Sequence, residues 1–293
     1  MLKTAHGYLC ENCRRKRNEP FSPDVKLVMS VFRRRVLSTR MLIMLPILFL
    51  FIPGMAWGFS DPDIQLPADQ IPETAAETMF LASIGIVFAG TMAAVLLAHD
   101  GISKDRQSGV LELRLSQPMP RWRQSMILVI GNWASIAVPV TVLMLISMWL
   151  VGYRSDMWIS AGDSVVFVVA AWLVLLWYTV FALLASSLAK EQGSAIAFSI
   201  GLWFLFTLLW VLFTTLIAAL NGVAVGESND ASYSVFEGRL DLLSPNGVYH
   251  HLLETRLDDV NRGVSPTGAV LAALAWTFFP LLWFTRRIKR LVP

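Results

Sequence analysis

The stretch that decides the fold covers residues 100–124 and reads DGISKDRQSGVLELRLSQPMPRWRQ. It is the most charged segment in the middle of the chain and carries five basic residues and a row of leucines. On either side lie long runs without any charged residue, at residues 79–98 and 125–152. This segment is therefore a charged connection between two long apolar runs.

The composition predicts an integral membrane protein. Hydrophobic residues make up 55% of the 293 residues and charged residues only 15%, whereas a soluble domain has roughly a quarter of its residues charged. An apolar run of about 18 residues or more is typical of a transmembrane helix. We predict an all-α fold with six transmembrane helices, at residues 41–59, 79–98, 126–153, 164–189, 195–220 and 268–285.

The positions of the basic residues predict the orientation. Twenty of the 24 Lys and Arg residues fall on one side of the predicted membrane and four on the other. Because cytoplasmic loops are enriched in Lys and Arg, both termini are expected in the cytoplasm, and the membrane is expected to be the plasma (inner) membrane of a prokaryote. Forty residues precede span one, which lacks a cleavage site, so we expect no cleaved signal peptide.

The charge pattern and the spans divide the chain into four parts. These are a basic cytoplasmic tail at residues 1–21, an amphipathic helix at 22–40, a six-span domain at 41–285 and a second basic tail at 286–293. The six-span domain contains a coupling loop at residues 99–125 and an outer segment at residues 221–265.

The first tail contains the only two cysteines, Cys10 and Cys13, in a C-x-x-C arrangement. A structural zinc site needs four ligands, usually from two such pairs, so zinc would require a second copy of the chain. We favour a reduced basic tail without a metal, because disulfides are rare in the cytoplasm.

Residues 22–40 predict a basic amphipathic helix that lies in the membrane interface, in contact with the lipid bilayer. Ser22 suits the position before the helix and Pro23 its first turn. The apolar residues follow helical spacing at Val25, Val28, Met29 and Phe32, whereas Arg33 and Arg34 fall on the opposite face.

The outer segment contains leucines, aromatic residues and a Ser-Pro-Asn-Gly turn signal, which predict one or two short helices packed on the bundle. Its residues His250, His251 and Glu254 invite comparison with a zinc helix. Such a helix needs two histidines four residues apart. Adjacent histidines point to different faces, so we interpret these residues as a solvated surface.

The spans lack ionisable residues in their interiors. This argues against a proton-coupled carrier and against an intramembrane enzyme, because both need such groups at depth. The chain also has no G-x-x-x-x-G-K-[ST] motif for ATP phosphates. We assign the polar residues within the spans to helix–helix hydrogen bonds; they are Asn132, Ser135, Thr141, Ser147, Thr179, Ser199, Thr207, Thr214 and Thr215.

The spacing of the leucines in the coupling loop is compatible with a strand or with a helix. The alternation of Leu111, Leu113 and Leu115 is typical of a strand, but no partner strand is visible nearby. As a helix, the same residues are neighbours at i, i+3 and i, i+4, with Ser108 as a cap and Pro118 at the end. We therefore predict a short helix.

The segment ISKDRQSGVLELRLSQPMPRWRQ resembles the signature of type-2 ABC transporter permeases. In that family span two is followed by a charged run, a small-residue pair, an acidic residue among leucines, a Ser/Thr-x-Pro and an arginine. The chain departs from this pattern at Lys104 and Asp105, where the family has two glutamates, and at residues 128–133, where it lacks a glycine-lysine pair. The resemblance extends over the whole chain, because the family also has an amphipathic helix before span one, six spans and a tight turn between spans four and five.

This resemblance implies the membrane-spanning permease subunit of an ABC exporter. The coupling loop would dock on a separate P-loop ATP-binding subunit, which binds ATP and magnesium, while this chain has no catalytic residue and binds no cofactor or nucleic acid. A second permease copy or a paralogue would complete the transporter. The implied coupling residues are Asp100, Lys104, Asp105, Arg106, Gly109, Glu112, Leu113, Leu115, Pro118, Arg121, Lys190, Glu191 and Gln192.

Residues 241–253, DLLSPNGVYHHLL, also resemble permeases of the multi-copper enzyme maturation subgroup. Two alternatives to an exporter remain: a membrane scaffold or sensor that uses an ATPase without transporting anything, and an uncoupled channel-like membrane protein.

Overall fold

The computed structural model describes residues 2–4, 7–9, 23–61, 72–116, 119–223, 231–257, 260 and 262–291. Within these residues, six helices are long and apolar enough to cross a membrane. We number them spans one to six in chain order: Thr39–Phe59, Ala75–Gln107, Arg121–Ser155, Ala161–Leu188, Gln192–Leu220 and Pro266–Lys289. The predicted six-span helical fold is confirmed, although several helices extend beyond their apolar cores.

The elements in chain order begin with two short antiparallel strands and continue as helices. They are β1 Leu2–Thr4, β2 Gly7–Leu9, α1 Pro23–Val36, α2 Thr39–Phe51, α3 Pro53–Phe59, α4 Ala75–Ala82, α5 Thr91–Ala98, α6 Ser103–Gln107, α7 Val110–Leu115, α8 Arg121–Ser155, α9 Ala161–Leu188, α10 Gln192–Phe204, α11 Trp210–Leu220, α12 Ala231–Asp241, α13 Pro245–Glu254 and α14 Pro266–Lys289. Segments of π-helix, Ile86–Gly90 and Leu205–Leu209, interrupt spans two and five.

Span one is divided into α2 and α3 at Pro53, which has no N–H to continue the helical ladder. At this break span two comes very close. A Cβ on Gly85 would lie 2.0 Å from the carbonyl oxygen of Phe51, so only glycine permits the contact.

Span four, helix α9, lies at the centre of the bundle and packs against spans two, three, five and six. Its large side chains Phe167, Trp177 and Tyr178 are fully buried. Trp177 Nε1 donates a hydrogen bond to Thr277 Oγ1 of span six at 2.9 Å. Because no water hydrogen-bonds to such groups inside a bilayer, these bonds fix the packing of neighbouring spans.

The polar residues within the spans fulfil the predicted role only in part. Thr141, Thr207 and Thr215 hydrogen-bond to side chains of other helices. The prediction is wrong for the other six, whose side chains donate to carbonyl groups of their own helix; these are Asn132, Ser135, Ser147, Thr179, Ser199 and Thr214. The short polar side chains of Ser, Thr and Asn reach the carbonyl three or four residues earlier more easily than a neighbouring helix.

The outer segment forms two helices, α12 and α13, as predicted. Helix α13 is joined to the membrane spans by Asn246, which accepts from Tyr178 OH at 3.0 Å and donates through Nδ2 to Phe206 O at 3.0 Å. Phe206 belongs to the π-helical segment of span five. The outer segment is therefore a packed part of the bundle.

Candidate docking surface at the basic end

One end of the bundle collects most of the basic residues. Helix α1, the loop that contains α6 and α7, the turn between spans four and five, and the last turn of α14 meet there. We call it the basic end. The opposite end, which holds α12 and α13, is the acidic end.

Asp100 is buried at the basic end and binds two arginines. Its Oδ1 accepts from Arg35 Nη1 at 2.6 Å, and its Oδ2 accepts from Arg40 Nη1 at 2.9 Å. Arg35 belongs to α1 and is also buried, while Arg40 lies in the first turn of span one. Because a buried carboxylate requires a partner of opposite charge, Asp100 fastens α1 and span one to the start of the loop.

Span four holds the next residues of the loop. The hydroxyl oxygen of Ser186 accepts hydrogen bonds from the backbone N–H of Ile102 at 3.0 Å and of Ser103 at 2.9 Å. Gly101 lies against Leu183, and a Cβ there would be 2.6 Å from Leu183 Cδ2. Residues 101–103 are thus fixed on the end of α9.

Arg106 joins α6 to the turn between spans four and five. Its Nη2 donates to the carbonyl of Ser187 at 3.2 Å, and its Nη1 donates to the carbonyl of Ala189. The last carbonyls of a helix have no partner in the helix itself, so a guanidinium group suits this place. The two predicted contact regions are therefore one continuous surface, on which Lys190 and Glu191 are exposed and Gln192 begins α10.

Helix α7 has one buried and one exposed side, and the predicted short helix is confirmed. Leu111 is buried in a cluster with residues of spans three, four and six. Val110, Glu112 and Leu113 are exposed, and Leu113 has 70% of its surface accessible.

The predicted cap of α7 is wrong. Gly109, with a φ of 71°, precedes α7, whereas the Ser108 hydroxyl donates to the carbonyl of Lys104 at 3.0 Å. A left-handed backbone at Gly109 turns the chain from α6 into α7, which leaves Ser108 at the end of α6.

Helix α1 packs along span three, whereas the sequence predicted that its apolar face contacts the lipid bilayer. A Cβ on Gly131 of span three would lie 2.7 Å from Val31, and Arg123 Nε donates to Asp24 Oδ2 at 3.1 Å. Of the predicted apolar face, Val28 and Phe32 are half-buried, whereas Val25 and Met29 are exposed. The exposed side also carries Arg33 and Arg34.

The remaining predicted residues are placed as follows. Lys104 is exposed, and Asp105 and Arg121 are half-buried. Pro118, Cys10, Cys13 and the side chain of Leu115 lie outside the part of the chain that the structure describes. Within that part, no group of three or more His, Cys, Asp or Glu residues is arranged to hold a metal ion.

Sequence reasoning missed Arg35, Arg40 and Ser186. A signal for Arg35 exists in the sequence, because it lies four residues after Val31 and seven after Val28, on the same helical face. A basic residue on the packing face of a helix indicates a buried acidic partner. Ser186 carries no such signal, since hydroxyl groups are common in spans.

The prediction of a solvated surface at His250, His251 and Glu254 is wrong. His251 is buried, with Nδ1 at 2.7 Å from Glu254 Oε2 and Nε2 at 2.8 Å from Gly238 O. Arg262 also contacts Glu254 at 3.1 Å, Asp241 at 2.6 Å and Glu237 at 3.1 Å. Helix α13 packs on α12, and this contact removes the histidine face from solvent.

The charges of this cluster influence one another. Burial disfavours the charged form of Glu254, but the hydrogen bond from His251 and the charge of Arg262 outweigh burial and lower the pKa of Glu254. For Glu237, burial prevails over Arg262 and raises the pKa. Arg262 is the cation that the three carboxylates of this cluster share.

Comparison with known proteins identifies the family. Residues 28–290 match the ABC-2 family transporter proteins, and the chain belongs to this family. It is 27% identical over 219 residues to the probable ABC transporter permease protein NosY of Stutzerimonas stutzeri, which covers 73% of this chain and 75% of that protein. It is also 27% identical over 189 residues to NosY of Pseudomonas aeruginosa, with 60% and 64% covered.

The predicted type-2 ABC permease is thereby confirmed. The chain is a multi-pass membrane protein and a permease subunit of an ABC transporter. Membership of this family implies a separate ATP-binding subunit as its partner.

Proposed function

We propose that the ATP-binding subunit docks on the basic end, over α6, α7 and the turn at residues 189–191. The observation that carries this proposal is the two-sided packing of α7. Leu111 fastens the helix to the bundle, while Val110, Glu112 and Leu113 point away from it. Exposed apolar residues beside charges are typical of a protein contact, in which the charges favour the correct partner.

We infer that the basic end faces the cytoplasm and that the membrane is the plasma membrane of a prokaryote. The positive-inside rule supports this orientation, and the two permease relatives are bacterial. The partner would bind ATP and magnesium on the cytoplasmic side. This chain would itself hydrolyse nothing.

We further infer an exporter of two permeases and two ATP-binding subunits. Closure of the two ATP-binding subunits would pull on both docking surfaces. Because Asp100, Ser186 and Arg106 fasten the loop to spans one and four, such a movement would reach the spans directly. The resemblance of residues 241–253 places the chain with the multi-copper enzyme maturation permeases, a subgroup that the two NosY relatives support.

Co-purification tests the docking surface. The tagged chain is extracted from native membranes in mild detergent, and an ATP-binding subunit is expected at about equal amount. Leu113→Asp should remove this partner, because it places a charge in an apolar contact. Val260→Asp is the control, since Val260 is also an exposed apolar residue, at 43%, but lies between α13 and span six at the acidic end.

Charge reversal separates docking from folding. Glu112→Arg should reduce ATP hydrolysis by the complex while the bundle remains folded, and Glu73→Arg, an exposed residue at the acidic end, should not. Retention of the partner and of normal ATP hydrolysis in both Leu113→Asp and Glu112→Arg would refute the docking surface. A bound partner with ATP hydrolysis but without transport would favour the scaffold or sensor.

A further inference from the structure

A cleft of about 700 Å³ opens between spans four, five and six. Helices α10 and α14 both pack along α9, and residues of all three helices line the cleft. The walls are almost entirely apolar and include Phe198, Leu202, Phe279, Leu282 and Trp283. Phe198, Phe279 and Trp283 have more than half of their surface accessible.

Aromatic rings pack together at one end of this cleft. The Trp276 ring lies 5.8 Å from Phe181 and 5.8 Å from Phe206, in edge-to-face contact with both. Arg286 lies ten residues further along α14 and is the only charged residue among the described residues that line the cleft. The cleft thus has an apolar closed end and a cationic open end.

The length of the cleft matches one leaflet of a bilayer. The stretch of α14 from Trp276 to Arg286 rises about 15 Å, at about 1.5 Å per residue. This is half of the roughly 30 Å hydrocarbon core of a membrane. An acyl chain that begins at Arg286 would end at the aromatic rings.

Arg286 is exposed and, in the described part of the chain, has no carboxylate within ion-pair distance. We propose that this cleft, the span-six cleft, binds one acyl chain of an anionic phospholipid from the leaflet at the basic end, with its phosphate on Arg286. Arginine is suited to phosphate because its planar group donates two parallel hydrogen bonds. The docking of an ATP-binding subunit does not depend on this cleft, so either proposal can be refuted without affecting the other.

A second copy of the chain is a poorer occupant of the cleft. A two-fold contact would bring each surface against itself. Arg286, Arg287 and Lys289 of one copy would then approach the same residues of the other, and none of the described residues that line the cleft is acidic. A lipid phosphate has the opposite charge and removes this conflict.

Photolabelling in reconstituted membranes tests the proposal. The probes are phosphatidylglycerol and phosphatidylcholine, each with a diazirine at the end of one acyl chain, at low fraction in phosphatidylcholine vesicles. Labelled peptides are identified by mass spectrometry. We expect phosphatidylglycerol to label Trp276 and Phe206, at the closed end, more strongly than phosphatidylcholine does. The exposed face of span one, at Leu42 and Leu50, serves as the reference for unspecific lipid contact.

Arg286→Gln should reduce labelling of the cleft by phosphatidylglycerol about fivefold, which corresponds to about 1 kcal/mol for one basic residue at an anionic surface. Lys289→Gln, which removes an exposed charge in the same turn but outside the cleft, should have little effect. Equal labelling by both lipids, equal loss in both variants, or labelling of span one as strong as that of the cleft would overturn the proposal. Absence of labelling in the cleft would also overturn it and indicate a second copy there.

Discussion

The two ends of the molecule hold their charges in opposite ways. At the basic end one carboxylate, Asp100, binds two arginines, Arg35 and Arg40. At the acidic end one arginine, Arg262, binds three carboxylates. The basic centre joins segments about 60 residues apart and leaves one net positive charge, whereas the acidic centre lies within residues 237–262 and leaves an excess of carboxylates.

The two centres differ in what surrounds them. At the acidic end the cluster is covered by α12 and α13, so its charges are used within the chain. At the basic end Asp100 and Arg35 are buried, but the loop that they fasten continues into an exposed helix. The first arrangement closes an end of the bundle, whereas the second presents a surface to a partner.

Asp100→Asn should have the largest effect on stability. The substitution leaves Arg35 buried and without a carboxylate, which typically costs about 3–5 kcal/mol. We expect a lower free energy of unfolding in mixed micelles with SDS. Asp61→Asn is the matched control, because its pair with Arg154 is more exposed and should contribute less than about 1 kcal/mol. Similar losses in both variants would show that burial of the Asp100 pair is unimportant.

Arg262→Gln should destabilise the acidic end by about 2–4 kcal/mol near neutral pH, because three carboxylates would repel one another without their cation. Without the charge of Arg262, which lowers the pKa of both Glu237 and Glu254, these two pKa values would rise above the unfolded values. The folded state would then bind more protons as the pH falls, and stability would recover. The Asp100→Asn defect should not recover, because arginine stays charged. The measurement is unfolding of both variants at pH 7.5 and pH 5.5. A defect of Arg262→Gln that is unchanged at the lower pH would contradict this account.

Arg106→Gln should separate the two halves of the docking surface. The two hydrogen bonds to Ser187 and Ala189 would be lost, at a cost of about 1–2 kcal/mol. Because α6 would no longer be fastened to the turn, we expect a clear loss of ATP hydrolysis by the complex although the bundle remains folded. Lys104→Gln is the control, since Lys104 is exposed in the same helix. Equal ATP hydrolysis in the two variants would show that Arg106 has no positioning role.

The sequence predicted what depends on periodicity and charge counts. The six spans, helix α7 and the two helices of the outer segment all follow from local patterns. It did not predict contacts between distant residues. His251 was expected in solvent because adjacent histidines do not have the spacing of a zinc helix, and nothing in α13 alone indicates that α12 covers it. The Asp100 pair was missed for the same reason, since Arg35 lies 65 residues earlier.

Substitutions of Gly109 should have the smallest effect, and they test whether the direction of α7 at the basic end matters to the partner. Its φ is 71°, and a Cβ there would meet no atom within 4 Å, so Gly109→Ala adds backbone strain of about 1 kcal/mol without a clash. Relief of this strain would tilt α7 and lower partner-coupled ATP hydrolysis. Gly109→Asn should retain more activity, because asparagine tolerates a left-handed backbone. If alanine and asparagine act alike, the direction of α7 is not what the partner recognises, and the exposed residues of the turn at 189–191 would then carry the contact.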